Sequence, residues 1–163
     1  MAVRVQTEDF DVGAESRALQ AETVGGIALF VGTVRGLSSD DGVTAMTLEH
    51  FPGMTESELE RIEAEARARW PLEDVTIIHR VGRLVPGEQI VMVGTASAHR
   101  KAAFESAEFI MDFLKTDAPF WKAEERGDEK RWVEARDSDD AARDRWSDCC
   151  LLYTSPSPRD TRR

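Results

Sequence analysis

The stretch Asp74–Ala98, "DVTIIHRVGRLVPGEQIVMVGTASA", decides the fold class. Its two halves, "DVTIIHRVG" and "EQIVMVGTASA", are rich in β-branched and apolar residues, and the turn signal Pro86–Gly87 lies between them. They read as two strands joined by a turn. Directly afterwards Ala103, Phe104, Ala107, Ile110, Met111 and Leu114 recur at helical spacing and predict a helix over about His99–Leu114. Upstream, "GIALFVGTVR" (Gly26–Arg35) reads as a strand that runs into the polar loop "GLSSDDG". "VTAMTLEH" (Val43–His50) alternates apolar and polar residues, so the two segments predict a hairpin with a long connection.

The other helix signal is "PGMTESELERIEAEARARWP". Here Thr55 is placed to cap free amides, with Glu58 three residues on to reach back. Leu59, Ile62, Ala66 and Trp70 share one face, and Pro71 ends the helix because it lacks an amide proton. A short strand is expected near "RWVEA". Strands, helix, strands, helix and a final strand make an α+β pattern with an antiparallel or mixed sheet and packed helices. Regular βαβ alternation is absent, and there is no internal repeat.

Composition narrows the function. The 163 residues, 41% hydrophobic, suffice for one globular domain. A formal net charge of −10 disfavours general attraction to nucleic acid or an anionic membrane, so any anion site must be a local pocket. No apolar run has the roughly 18 to 20 residues needed to span a bilayer, and the start "MAVRVQTEDF" lacks a secretory apolar stretch. A cytoplasmic location is expected. Cys149 and Cys150 are adjacent near the C-terminus, and His50, His79 and His99 show no metal-ligand spacing, so neither a disulfide framework nor a metal site is expected. No G-x-x-x-x-G-K-[ST] or G-x-G-x-x-G loop is present to cradle a nucleotide phosphate. After Trp146 the chain changes to "SDCCLLYTSPSPRDTRR", whose Ser-Pro repeats suit neither helix nor sheet interior. A domain over residues 1–146 and a disordered tail over 147–163 are expected, the tail being either an ordinary extension or foreign to the domain.

"FLKTDAPFWK" (Phe113–Lys122) puts two lysines seven residues apart around a proline and an aromatic pair. Lys115 is explained as a cation at the end of a helix, where free carbonyls favour it. A second reading joins both lysines in one pocket, provided Phe120 and Trp121 anchor the turn. Arg35 is in the same way either a strand-end charge or a planar fork for phosphate oxygens. His99 is a capping or surface histidine, or part of an anion site at a helix start.

Taken together, "FVGTVRG", "LEHFPGMTE", "RWPLEDVTIIHRVGRLVPGE", "SAHRKAAFESAEFIMDFLKTDAPFWK" and "RWVEAR" resemble the large, catalytic subunit of molybdopterin synthase, the MoaE family. The blocks occur in family order over about Phe10–Trp146. The resemblance implies an α/β hammerhead fold and a homodimer. It implies a small ubiquitin-like sulphur-carrier subunit at each end, completing a heterotetramer. The carrier's Gly-Gly C-terminus, activated as a thiocarboxylate, would enter the pocket and supply sulphur to cyclic pyranopterin monophosphate, building the molybdopterin dithiolene in two transfers. No cofactor is implied. The residue chemistry agrees: the body of the chain has no cysteine to deliver sulphur, so a partner must bring it. Both reactants are anionic, so their meeting needs fixed cations.

Carried over by motif, the resemblance makes Lys115 and Lys122 the pocket lysines. Partial burial can lower a lysine's pKa and let it exchange protons as well as hold an anion. Arg35, His99 and Arg100 match substrate-binding positions, and Arg136 matches an arginine that reaches the site across the dimer. Thr33 stands where some members carry lysine, leaving the backbone at Thr33 and Val34 as a possible contact. Ala123 and Glu124 follow Lys122 where some members carry another base, and count among the binding positions. His50 and His79 are expected to be structural. Phe104, Phe109, Phe113, Phe120 and Trp121 are expected in the core or facing a partner. The competing functions are a non-catalytic module that binds the sulphur carrier and a phosphate-ester enzyme using the same basic cluster.

Overall fold

The computed structural model describes residues 2–36, 42–133 and 137–148. The elements in chain order are β1 (Val3–Gln6), α1 (Val12–Ala18), β2 (Gly26–Thr33), β3 (Ala45–His50), α2 (Met54–Arg69) and β4 (Leu72–Arg80). They continue as β5 (Gly82–Leu84), β6 (Gln89–Ser97), α3 (Arg100–Thr116), β7 (Phe120–Arg126), β8 (Glu129–Val133) and α4 (Asp137–Asp148). Two four-stranded sheets result, ordered β1-β4-β6-β2 and β5-β3-β7-β8. Among the described residues only β1 and β4 pair in parallel, which makes the first sheet mixed and the fold α+β.

The strands that opened the sequence reading lie at the centre of the first sheet. Val75–Arg80 and Val91–Ser97 are buried without a break, because α2 and α3 cover one face and Phe10 and Leu19, on either side of α1, help cover the other. Leu59, Ile62 and Ala66 of α2 and Ala103, Phe109 and Ile110 of α3 pack on one face against Val75, Ile77 and Val93. Phe10 and the start of α1 pack on the other face against Ile78 and Met92. The predicted stripe Leu59–Ile62–Ala66–Trp70 is buried in full. On α3, Phe109 and Phe113 join the core, whereas Phe104, read as core, is 66% exposed.

Two expectations are overturned. The segments read as a hairpin, β2 and β3, belong to different sheets: β2 pairs with β6, and β3 pairs with β5 and β7. After a register shift between Gly32 and Thr33, β2 keeps its partner through Thr33 and Gln89, and Val34 then packs on Met46, Leu48 and Leu84 of the second sheet. Gly82, at φ +94°, a conformation that disfavours any side chain, turns the chain from β4 into β5 and so into that sheet. Nor is Thr55 the cap of α2. Gly53 is the N-cap, its N–H donates to Glu56 at 2.6 Å, and Glu58 instead pairs with Arg61 at 3.1 Å. Thr55 is fully buried inside the first turn.

His79 is buried, its Nδ1–H donates to the Arg80 carbonyl at 2.8 Å, and its ring stacks on Phe120. Burial pushes it down to about 4, against the pull of that hydrogen bond and helped by the nearby His50. The unfolded chain therefore binds a proton here that the folded chain refuses. This contribution is complete above about pH 6.5 and is lost as pH falls toward 4, on the order of 3 kcal/mol in all. Urea unfolding at pH 7 and pH 4.5 is expected to show a larger loss for the wild type than for His79→Phe.

Candidate active site

Strand register assembles one group of the expected residues. In β7, Lys122 lies opposite Leu48 of β3 and Val133 of β8, and Glu124 lies opposite Met46 and Arg131. Paired residues share a sheet face, and so do residues two apart. Lys122 and Glu124 are thus on the face where Val34 meets Met46 and Leu48, next to Arg35. Lys122 Nζ is 3.2 Å from Glu124 Oε1, and Arg126 binds the other oxygen at 3.4 Å. Burial raises the Glu124 carboxyl, but hydrogen bonds and charge from Lys122 and Arg126 outweigh it and hold the group below its ordinary value.

Lys115 occupies the last turn of α3 and is exposed. The chain then returns through Asp117–Pro119 to β7, so both lysines stand at the same end of the molecule. Asp117, the C-cap of α3, accepts a hydrogen bond from Arg61 at 3.1 Å and forms an ion pair with Arg143 at 3.1 Å. Arg61 and Arg143 are paired there with Asp117, and Lys122 with Glu124, so this end carries cations and carboxylates together.

Three of the expected binding positions have other duties. Ala123 lies on the face opposite Lys122, where it is fully buried between its pairing partners Thr47 and Trp132. Val34 is buried, its N–H donates to Glu88 at 2.9 Å, and its carbonyl accepts from Gly87 at 2.8 Å. It forms a wall while Thr33 and Arg35 on either side are exposed. Glu124 holds Lys122 and Arg126 instead of facing an anion. Its signal in the sequence was the spacing Lys-x-Glu, which puts the pair on one side of a strand.

His99 and Arg100 lie elsewhere. His99 is the N-cap of α3, with extended backbone and no side-chain cap, and its N–H approaches Ser97 Oγ at 3.4 Å. Both residues are exposed. The start of β2 seats against them: a Cβ on Gly26 would come within 3.3 Å of Arg100 Cα. This is the far end of both β2 and α3 from the lysines. The 17 residues of α3 alone separate the two groups by about 25 Å at 1.5 Å per residue. Arg136, Cys149, Cys150 and the expected tail beyond 148 lie outside the described residues. Among the described residues no cluster of three His, Cys, Asp or Glu side chains could hold a metal. No helix there is long and apolar enough to cross a membrane.

Residues 5–117 match the family described as MoaE protein. The molybdopterin synthase catalytic subunit of Pseudomonas aeruginosa is 55% identical over 150 residues, covering 91% of this chain and all of that protein. The structure of molybdopterin cofactor biosynthesis protein E from Burkholderia multivorans is 57% identical, covers 90% of this chain and 96% of its own, and superposes with a TM-score of 0.77. A molybdopterin synthase structure from Staphylococcus aureus, 26% identical, covers 80% of this chain and 95% of its own at a TM-score of 0.76. With the family pattern over most of its length and relatives matched almost end to end, this chain belongs to the MoaE family.

Proposed function

We propose that this chain is the catalytic subunit of a cytoplasmic molybdopterin synthase. It moves sulphur from the C-terminal thiocarboxylate of a small ubiquitin-like carrier subunit to cyclic pyranopterin monophosphate, forming the dithiolene of molybdopterin. The observation that carries this reading is that Lys122 stands on the sheet face walled by Val34, next to Arg35, and that Lys115 ends the helix leading into that strand, in a chain whose net charge is −10. Fixed cations there offset the repulsion between two anionic reactants, and they act best where the reactants have been stripped of water. Lys115 and Lys122 flank the thiocarboxylate and the pterin side chain. Arg35 offers its fork to the phosphate, with Thr33 beside it. Reconstitution with thiocarboxylated carrier and cyclic pyranopterin monophosphate tests the reading. Dithiolene product that depends on the carrier supports it, while carrier binding without product leaves only a binding module. Turnover of a nucleotide ester without any carrier would instead favour a phosphate-ester enzyme.

His99, Arg100 and Arg136 complete the site from a second copy. One chain cannot bring His99 and Arg100 to Lys115, whereas a two-fold mate can. Strand β2 is an edge strand that carries no charge, and its Leu29 and Phe30 are 40% and 43% exposed. Such an edge is normally covered. Paired antiparallel with its mate, it sets the Gly26 end of one copy, with Arg100, beside the Thr33 end of the other, with Arg35. Light scattering of the isolated protein at micromolar concentration is expected to give a homodimer, and with carrier a heterotetramer; a monomer would count against the shared site.

The functional domain ends at Trp146. Its ring packs edge-on against Trp70 and Phe109, and its indole N–H donates to Asp112 at 2.7 Å, whereas Ser147 is exposed. Removing residues 147–163 is expected to change the melting temperature by no more than a few degrees. A cut that also removes Trp146 opens the aromatic core and costs about 3 kcal/mol or more, read by urea unfolding.

A further inference from the structure

Between the two lysines the chain is fastened at four successive points by groups from outside it. Asp117 is held by Arg61 and Arg143. The Pro119 carbonyl accepts from Thr55 Oγ1 at 3.1 Å, and the same hydroxyl accepts the Phe51 N–H at 3.1 Å. Phe120 is stacked on His79, with ring centroids 3.8 Å apart and planes 18° from parallel. Trp121 meets Phe51 edge-on at 4.3 Å. Thr55 is fully buried and His79 is 7% exposed, and neither belongs to the group of cations.

We infer that Thr55 and His79 are positioning residues for the sulphur transfer: they set where β7 begins and therefore which of its side chains faces the pocket. This rests on the function proposed above. Strand alternation makes the consequence all-or-none. Phe120, Lys122 and Glu124 share one face of β7, while Trp121 and Ala123 share the other. A slip of one residue at the start of the strand would carry Lys122 to the opposite face, beside Trp132, and present Ala123 or Trp121 to the substrate. Pairing with β3 does not by itself prevent such a slip. The fixed hydroxyl at Pro119 and the fixed ring at Phe120 do, because each accepts only one partner in register. Thr55 also links the Phe51 amide just after β3 to the Pro119 carbonyl just before β7, so one side chain ties the two paired strands at the same end.

The test is single-turnover transfer in the complex with thiocarboxylated carrier, in Thr55→Val, Thr55→Ser, His79→Leu and His79→Phe, with Lys122→Ala as reference. Valine keeps the shape but not the hydroxyl, and leucine removes the stack. Both are expected to slow transfer about tenfold or more at unchanged carrier affinity, and to speed amide exchange across residues 119–124. Serine at 55 restores the hydroxyl, phenylalanine at 79 restores the stack, and each recovers most of the rate. Thr55→Val and His79→Leu at full rate while Lys122→Ala is slow would overturn the inference and leave the function standing. Lys122→Ala at full rate would also overturn the inference, since the placement of Lys122 would then not matter, and only with Lys115→Ala at full rate as well would the proposed lysine site fall. If Thr55→Val does not fold, His79→Leu against His79→Phe decides. A rate loss that merely follows a loss of folded protein or carrier affinity also overturns the positioning role.

Discussion

Lys115→Ala is expected to lower sulphur transfer about a hundredfold or more while leaving the fold and carrier binding nearly intact. Lys115 is exposed in the last turn of α3, so its removal exposes no core and costs within about 0.5 kcal/mol of stability. Losing a preorganised charge beside a reacting anion, by contrast, raises the barrier by about 3 kcal/mol or more. Carrier docking rests on a broad surface and survives the loss of one ammonium. Lys115→Arg restores charge but not full rate, because guanidinium does not readily give up a proton. Lys122→Ala is expected to slow transfer as well, with Lys115 the more damaging loss. The measurement is a single turnover with preloaded carrier. Near-full rates for both alanine variants would show that the two lysines only solvate the ends of their elements.

What the sequence made legible follows from the range of the forces involved. The stripe Leu59–Ile62–Ala66–Trp70 was readable because helical periodicity is local, and the central strands because continuous apolar runs require cover on both faces. The false hairpin came from treating neighbours in sequence as neighbours in the sheet. Nothing local to Gly26–Arg35 says that its mate is β6, some sixty residues on. Phe104 was read as core from its spacing, yet it lies on the outer side of α3. Thr55 was rightly singled out and wrongly assigned: its hydroxyl serves a carbonyl 64 residues away, which no capping rule anticipates. At the site, residue types were legible and assembly was not. Lys122 comes beside Val34 and Arg35 because the end of β2 crosses to pack on the second sheet, and Ala123 lies on the opposite face of β7, covered between Thr47 and Trp132. The distance from Lys115 to His99 and Arg100 was legible, because the predicted helix already put His99 at its start and Lys115 at its end.

That distance gives a second large effect. In Arg100→Ala the loss of a charge-assisted contact to the substrate phosphate is expected to slow transfer about tenfold to a hundredfold. Combined with Lys115→Ala, it separates a site built within one chain from a site built between two. Suppose one copy carries Lys115→Ala and its mate carries Arg100→Ala. If Lys115 and Arg100 act within the same chain, both sites are defective and the mixed dimer is as slow as its parents. If they meet across the dimer, one site receives both altered residues and the other receives none. A mixed dimer isolated with two different tags then recovers about half the wild-type rate, as two-fold symmetry requires. The recovery cannot come from refolding or from improved carrier binding, because each chain alone keeps its defect. A mixed dimer that forms, binds carrier and shows no recovery would confine the site to one chain, and His99 and Arg100 would then lie too far from Lys115 to serve it.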